Sequence, residues 1–261
     1  MDQDKLKRIE QLLAGSTPAE VRQGLELARE EIVRCGPEDA REAIDAITSL
    51  FYIDPLDRPD LKPCIDDAVD LVIGLGRQVI PSLLETLDEG DVKAQLVVAN
   101  ALGRIGADAL EPLLEAYHGA RDHHRKEFAL YAIGHIRSPK VVRALPLALE
   151  GLEDDDPGMR DTATRAIGRM AEAIPAGEMP EELRDAIFRR LILAVSSPSP
   201  AIRAKAVRSL GKLAQYGHLR DDQKENVRRL MLRILGEDED REWDHAYIVR
   251  KEAREALQLC C

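Results

Sequence analysis

The chain reads DPGMRDTATRAIG at residues 156–168 and SPAIRAKAVRSLG at residues 199–211. In each stretch a turn containing proline is followed by apolar residues that recur every three or four positions, as Met159, Ala163 and Ile167 do. This spacing places the apolar side chains on one face of a helix and leaves the opposite face polar. The two stretches therefore predict amphipathic helices that end in the same way.

The glycine that ends these stretches belongs to a longer series. The segments NALGRI, YAIGHI, RAIGRM and RSLGKL superimpose, and their glycines, Gly103, Gly134, Gly168 and Gly211, lie 31, 34 and 43 residues apart. A second helical pattern precedes each of these helices, and its prolines are expected in first turns, where a missing amide donor costs little. Stacked helix pairs of this length predict an all-α fold, a right-handed α-solenoid (α-α superhelix) of about seven helix pairs. An extra stretch, Glu172 to Glu182, accounts for the longest spacing and predicts a longer loop.

These residues resemble the HEAT repeat family, in particular the short HEAT-like repeats first associated with phycobilisome lyases. The similarity is strongest over residues 91–214. The resemblance implies one HEAT-like solenoid domain over residues 1–261, with divergent capping helices over 1–60 and recognisable repeats over 64–259.

The composition and net charge of the chain indicate which classes of partner it is expected to bind. Hydrophobic residues make up 44% of the chain and charged residues 33%, which is typical of a folded, soluble protein. The formal net charge of −11 and an aromatic content of 3% disfavour nucleic acid and anionic membranes as partners. No long apolar segment follows the N-terminus or spans a membrane width, so we expect a cytoplasmic protein.

One set of polar residues recurs with the repeat. It contains the residue after each repeat glycine and the residue one helical turn earlier, which share an exposed helix face. We call this set the repeat stripe: Asn100, Arg104, Tyr131, His135, Arg165, Arg169, Arg208 and Lys212. The resemblance implies that the second helix of each pair lines the concave side, so the stripe predicts a mainly basic groove. Because Arg or Lys after the glycine also belongs to the family's common repeat pattern, a purely structural role is the alternative.

These observations favour a non-catalytic scaffold or adaptor that binds a protein partner, with an acidic segment of the partner held by arginines. The alternative is an accessory subunit of an enzyme complex, resembling the bilin lyase subunits that attach chromophores to carrier proteins. The usual motifs for nucleophilic, phosphoryl or hydride chemistry are missing, so we expect no catalytic residue and no cofactor.

Three smaller features of the sequence concern metal binding, aromatic packing and the terminal cysteines. The histidines His118, His123 and His124 lie close in sequence, but no repeated ligand set accompanies them, and no metal site is predicted. Trp243 and Tyr247 are expected to pack on the last helix. The terminal pair Cys260 and Cys261 resembles the ending of certain prenylated small GTPases, yet it directly follows a helical pattern, so unmodified thiols are expected.

Overall fold

The computed structural model describes residues 2–89, 91–239 and 242–259, and over these residues the protein is helical throughout, with no β-strand. The α-helices are α1 (Gln3–Leu13), α2 (Pro18–Cys35), α3 (Arg41–Thr48), α4 (Lys62–Gly74), α5 (Ile80–Glu89), α6 (Val92–Ile105), α7 (Leu110–Gly119), α8 (His123–Ile133), α9 (Leu145–Gly151), α10 (Pro157–Ala173), α11 (Glu181–Ala194), α12 (Pro200–Gln215), α13 (Asp221–Leu235) and α14 (Tyr247–Leu259). Short 3-10 helices lie at Ser49–Tyr52, Pro59–Leu61, Gly76–Val79, Ala107–Ala109 and Pro139–Ala144. The all-α prediction is confirmed. Cys260 and Cys261 lie outside the described residues.

The helix starts follow from local sequence. Asp91, Asp122, Asp156 and Ser199 each accept a hydrogen bond from the backbone amide three residues later, which satisfies an amide that the helix itself leaves unpaired. Pro81, Pro112 and Pro146 lie in the first turns of α5, α7 and α9, as predicted.

An arginine at the same repeat position closes the loop before three of the helices. Arg160, Arg203 and Arg250 each donate a hydrogen bond to a backbone carbonyl six residues earlier, at N···O distances of 2.6, 2.9 and 2.6 Å. These bonds give partly buried loop carbonyls a hydrogen-bond donor that they would otherwise lack. The shared contact also shows that α14, which has no glycine signal, is the counterpart of α10 and α12.

The chain divides into two compact units, Met1–Ala116 and Tyr117–Cys261. In the first unit α1, α3 and α5 form one layer, and α2, α4 and α6 form the other. Fully buried side chains between the layers include those of Phe51, Ile9 and Leu83. The prediction of a single domain over residues 1–261 stays a prediction.

In the second unit α8, α10, α12 and α14 pack side by side in chain order, and α9, α11 and α13 cover one side of this layer. The repeat glycines lie where neighbouring helices of the layer cross. Gly134 faces Ala166, Gly168 faces Ser209, and Gly211 faces Ala256. A Cβ atom built on Gly168 would lie 2.4 Å from the Ser209 Oγ and 3.1 Å from its Cα, so the crossing requires glycine. The small residues bring the helices close together and fix the register of their polar faces.

The longer loop expected at Glu172 to Glu182 is present over residues 174–180, because α10 continues to Ala173 and α11 begins at Glu181. It exceeds the connections at residues 152–156 and 195–199, and together with the longer end of α10 it accounts for most of the long spacing. The prediction that Trp243 and Tyr247 pack on the last helix is wrong. Trp243 and Tyr247 are 57% and 68% exposed. The buried face of α14 instead carries Val249, Glu252, Ala253 and Ala256.

Candidate functional site

A basic cavity lies where α10 crosses α12 in the second unit. Its volume is about 120 Å³, and Ser209 lines it together with six cationic side chains. We call these six side chains the basic cluster: Arg137, Arg165, Arg169, Lys205, Arg208 and Lys212. The close approach of Gly168 to Ser209 places residues one turn away on both helices around the same cavity.

Four of the eight stripe residues belong to this cluster. Arg165 and Arg169 come from α10, four residues apart, and Arg208 and Lys212 come from α12 with the same spacing. Because residues at this spacing lie one turn apart on one helix face, the repeat pattern correctly indicates that each pair is adjacent.

Three carboxylates neutralise part of the cluster. Glu172 pairs with both Arg137, at 2.6 Å, and Lys212. Asp161 pairs with Lys205. Glu252, described below, is the third carboxylate and pairs with Arg208. Six cations and three carboxylates together have a net charge of +3.

The pair between Arg208 and Glu252 links α12 to α14. The Arg208 Nε donates to Glu252 at 2.7 Å, and a terminal guanidinium nitrogen donates to the other carboxylate oxygen. The Glu252 side chain is 1% exposed. Hydrogen bonding to the carboxylate raises the pKa of Arg208 above its usual value. This arginine therefore holds a buried carboxylate as well as lining the cavity.

Arg165 and Arg169 differ from the rest of the cluster. Within the described residues neither guanidinium forms an ion pair with a carboxylate, and both side chains are half-buried. Burial lowers the pKa of Arg169, and the positive charges of Arg165 and Arg137 lower it further. The Glu172 carboxylate acts on the pKa of Arg169 in the opposite direction, but it is paired with Arg137 and Lys212. Among the described residues, neither Arg165 nor Arg169 therefore has a carboxylate partner of its own.

Tyr131 and His135 contact each other beside the cluster. Their ring centroids are 4.4 Å apart, and the His135 Nδ1 lies 2.7 Å from the Tyr131 carbonyl oxygen, to which it donates as neutral imidazole. Burial lowers the pKa of His135 to about 4, with the nearby arginines Arg169 and Arg165 acting in the same direction. His135, which follows the end of α8, therefore adds no charge to the stripe near neutral pH.

The remaining stripe residues, Asn100 and Arg104, lie on α6 in the first unit. Asn100 is half-buried, and Arg104 pairs with Asp70 of α4 at 2.7 Å in an exposed position.

Two cluster residues were missed by the sequence analysis. Lys205 lies three residues before Arg208 on the same face of α12, and that spacing is a signal that could have identified it. Arg137 lies in the loop after α8, outside the helical periodicity, so only the tertiary structure brings it to the cavity.

The clustered histidines make separate contacts. His118 packs edge-on against Tyr117, and His123 lies 3.3 Å from Asp154. His124 packs edge-on against Phe128. In the described ranges, no three His, Cys, Asp or Glu side chains form a group able to hold a metal ion. No helix in the same ranges has the length and apolar character needed to span a membrane.

Comparison with known proteins identifies the repeat. Residues 80–168 match the family described as HEAT repeats. The match includes α6, α8 and the first 12 of the 17 residues of α10, and it contains the first five stripe residues, from Asn100 to Arg165. No curated protein matches the chain significantly.

Several solved structures share the fold. The complex of CpcE and CpcF of phycocyanin lyase from Nostoc sp. PCC7120 is 19% identical with a TM-score of 0.53, over 68% of this chain and 97% of that one. Kap121p bound to Nup53p is 11% identical with a TM-score of 0.68, over 99% of this chain and 29% of that one. A designed armadillo repeat protein in complex with the peptide (KR)4 is 14% identical with a TM-score of 0.56, over 95% and 100%. These likenesses, together with the HEAT repeats, confirm the α-solenoid class.

Proposed function

We propose that the protein is a non-catalytic interaction scaffold or adaptor, and that its basic cluster binds an acidic segment of a partner protein. The observation that carries the proposal is the pair Arg165 and Arg169, whose guanidinium groups face a cavity without a carboxylate partner in the described part of the chain. A partner's carboxylate would supply the missing charge and accept paired hydrogen bonds from a guanidinium group. Because the site is half-buried, these contacts are screened less by salt than contacts between exposed charges.

The fold supports the scaffold part of the proposal. Two of the similar structures are repeat proteins bound to a protein or peptide, Kap121p with Nup53p and the designed armadillo protein with (KR)4. The free thiols of Cys35 and Cys64 suit a reducing compartment, so we place the protein in the cytoplasm.

A direct test uses a fluorescein-labelled octaglutamate peptide and fluorescence anisotropy at low salt. We expect the native chain to bind it, and the double charge reversal Arg165→Glu with Arg169→Glu to weaken binding by more than about tenfold. Arg189→Glu, a reversal on the exposed side of α11, is the matched control and should retain most of the affinity. A double variant that melts at the native temperature and binds octaglutamate with native affinity would exclude the cluster as the binding site.

The likeness to the phycocyanin lyase complex favours a second candidate, an accessory subunit of a chromophore-attaching enzyme. Its test is spectroscopic. If the protein has this role, the absorption spectrum of added bilin should change when the protein binds it. An unchanged bilin spectrum at saturating protein would count against this role.

A further inference from the structure

We propose that the basic cluster recognises a phosphomonoester, carried as phosphoserine or phosphothreonine on the partner segment. This inference rests on the proposed function, since it specifies the acidic group that the cluster binds. It follows from three features of the cavity: its size, its uncompensated charge and the arrangement of its donors.

The cavity has room for one compact group. Its volume of about 120 Å³ is several times the roughly 10–15 Å³ of such space that one water molecule needs, so a tetrahedral phosphate group fits. The small size favours one compact group over two side chains with aliphatic stems.

The charge of that group is set by Arg165 and Arg169, which have no carboxylate partner among the residues that the structure describes. A carboxylate carries a single negative charge and so compensates only one of Arg165 and Arg169. A phosphomonoester carries about −1.5 to −2 near pH 7 and offers three strong acceptor oxygens. One phosphate can therefore satisfy both guanidinium groups, which line the same cavity.

The donors of the cavity are arranged for this contact. Arg165 and Arg169 lie one turn apart on one face of α10, so their planar guanidinium groups line the cavity from neighbouring positions. The Ser209 hydroxyl donates to the carbonyl of Thr164 at 2.8 Å and is thus engaged within the fold. Glu172, held by Arg137 and Lys212, remains as a negative charge at the edge of the cluster. Recognition therefore depends on the guanidinium groups of Arg165 and Arg169.

Phosphate in nucleic acid is less suited to this site. A phosphodiester carries one charge per phosphate, and the net charge of −11 repels a polyanion at long range. The cluster is a compact site on an acidic protein, which favours a single dianionic group over an extended backbone.

The test compares three fluorescein-labelled peptides that differ only at the centre, which holds serine, phosphoserine or two consecutive glutamates. Anisotropy titrations with the full chain should give the phosphoserine peptide an affinity at least about tenfold higher than that of the diglutamate peptide, which corresponds to about 1.4 kcal/mol. The serine peptide should bind most weakly. Arg165→Gln and Arg169→Gln should each remove most of the preference for phosphate, whereas Arg189→Gln should leave it unchanged.

A conservative variant separates charge from geometry. Arg169→Lys keeps the positive charge but loses the planar fork, so it should retain binding of the diglutamate peptide and lose part of the preference for phosphoserine. Thermal melts of each variant establish that the second unit remains folded.

The other outcomes are equally informative. Diglutamate binding as tight as phosphoserine binding would overturn this inference and leave the proposed function standing. If the native chain bound none of the three peptides, both would fail. Tighter binding of octauridylate than of the phosphoserine peptide would overturn the inference in favour of nucleic acid.

Discussion

Substitution Gly168→Ala tests the packing that builds the basic cluster. The added Cβ would lie 2.4 Å from the Ser209 Oγ, a distance that real Cβ atoms do not show, and 3.1 Å from the Ser209 Cα. The hydroxyl cannot move away freely, because it is buried and donates to the carbonyl of Thr164 at 2.8 Å. The helices α10 and α12 must therefore separate, or that hydrogen bond must break.

The expected magnitude follows from opposing effects. Overpacking a filled crossing costs about 1–3 kcal/mol, and displacing a buried hydroxyl from its acceptor adds about 1 kcal/mol. Alanine recovers about 0.5–1 kcal/mol of helix propensity relative to glycine. We expect a net loss of about 1–3 kcal/mol in the free energy of unfolding, measured by urea denaturation with circular dichroism.

Two comparisons make this prediction specific. Gly119→Ala places a Cβ in open space on the same unit and should change the free energy of unfolding by less than about 0.5 kcal/mol. In a Ser209→Ala background the clashing oxygen is absent, so Gly168→Ala should cost less, with a coupling of about 1 kcal/mol in the double-mutant cycle. Native stability of Gly168→Ala, or equal costs in both backgrounds, would refute the packing argument.

Arg208→Gln should destabilise the protein by about 2 kcal/mol or more, because Glu252 would remain buried without its charged donor. Arg104→Gln should cost less than about 1 kcal/mol, because its carboxylate partner is 64% exposed; urea denaturation distinguishes the two. The lowered pKa of His135, about 4 against 6.5, means that the folded state binds its proton less than the unfolded state does. The contribution of neutral His135 to stability is full above pH 6.5 and is lost as pH falls towards 4. His135→Gln should therefore make the melting temperature depend less on pH between 6.5 and 4. Hydrogen bonds from Arg34 and Lys5 lower the pKa of the Glu31 carboxyl to about 2. Its contribution to stability is therefore full above pH 4.5 and is lost as pH falls through 2. Glu31→Gln should remove this part of the decrease in melting temperature at acid pH.

The sequence predicted the helices better than their environments. Prolines at positions 81, 112 and 146, and caps such as Asp156, act within one helical turn, so their effects could be assigned from neighbouring residues alone. The exposure of Tyr247 depends on which face α14 presents to α12 and α13, and that face is selected by the packing of residues far apart in sequence.

The repeat stripe shows the same limit at the candidate site. The sequence placed Arg165 beside Arg169 and Arg208 beside Lys212, because residues four apart on a helix are neighbours. It did not distinguish Arg165 and Arg169, which have no carboxylate partner in the described ranges, from Arg208, whose partner Glu252 lies 44 residues further along the chain.

The sequence by itself determined the helical repeat, the position of its glycines and the polar face beside them, since helix periodicity and capping are local properties of the chain. Only the tertiary structure decided which charges meet. Burial of His135, the arrival of Arg137 from a loop and the pairing of Glu172 with Lys212 all depend on helix crossings between residues far apart in sequence. Electrostatic interactions depend on distance and burial, and both are set by how the repeats pack.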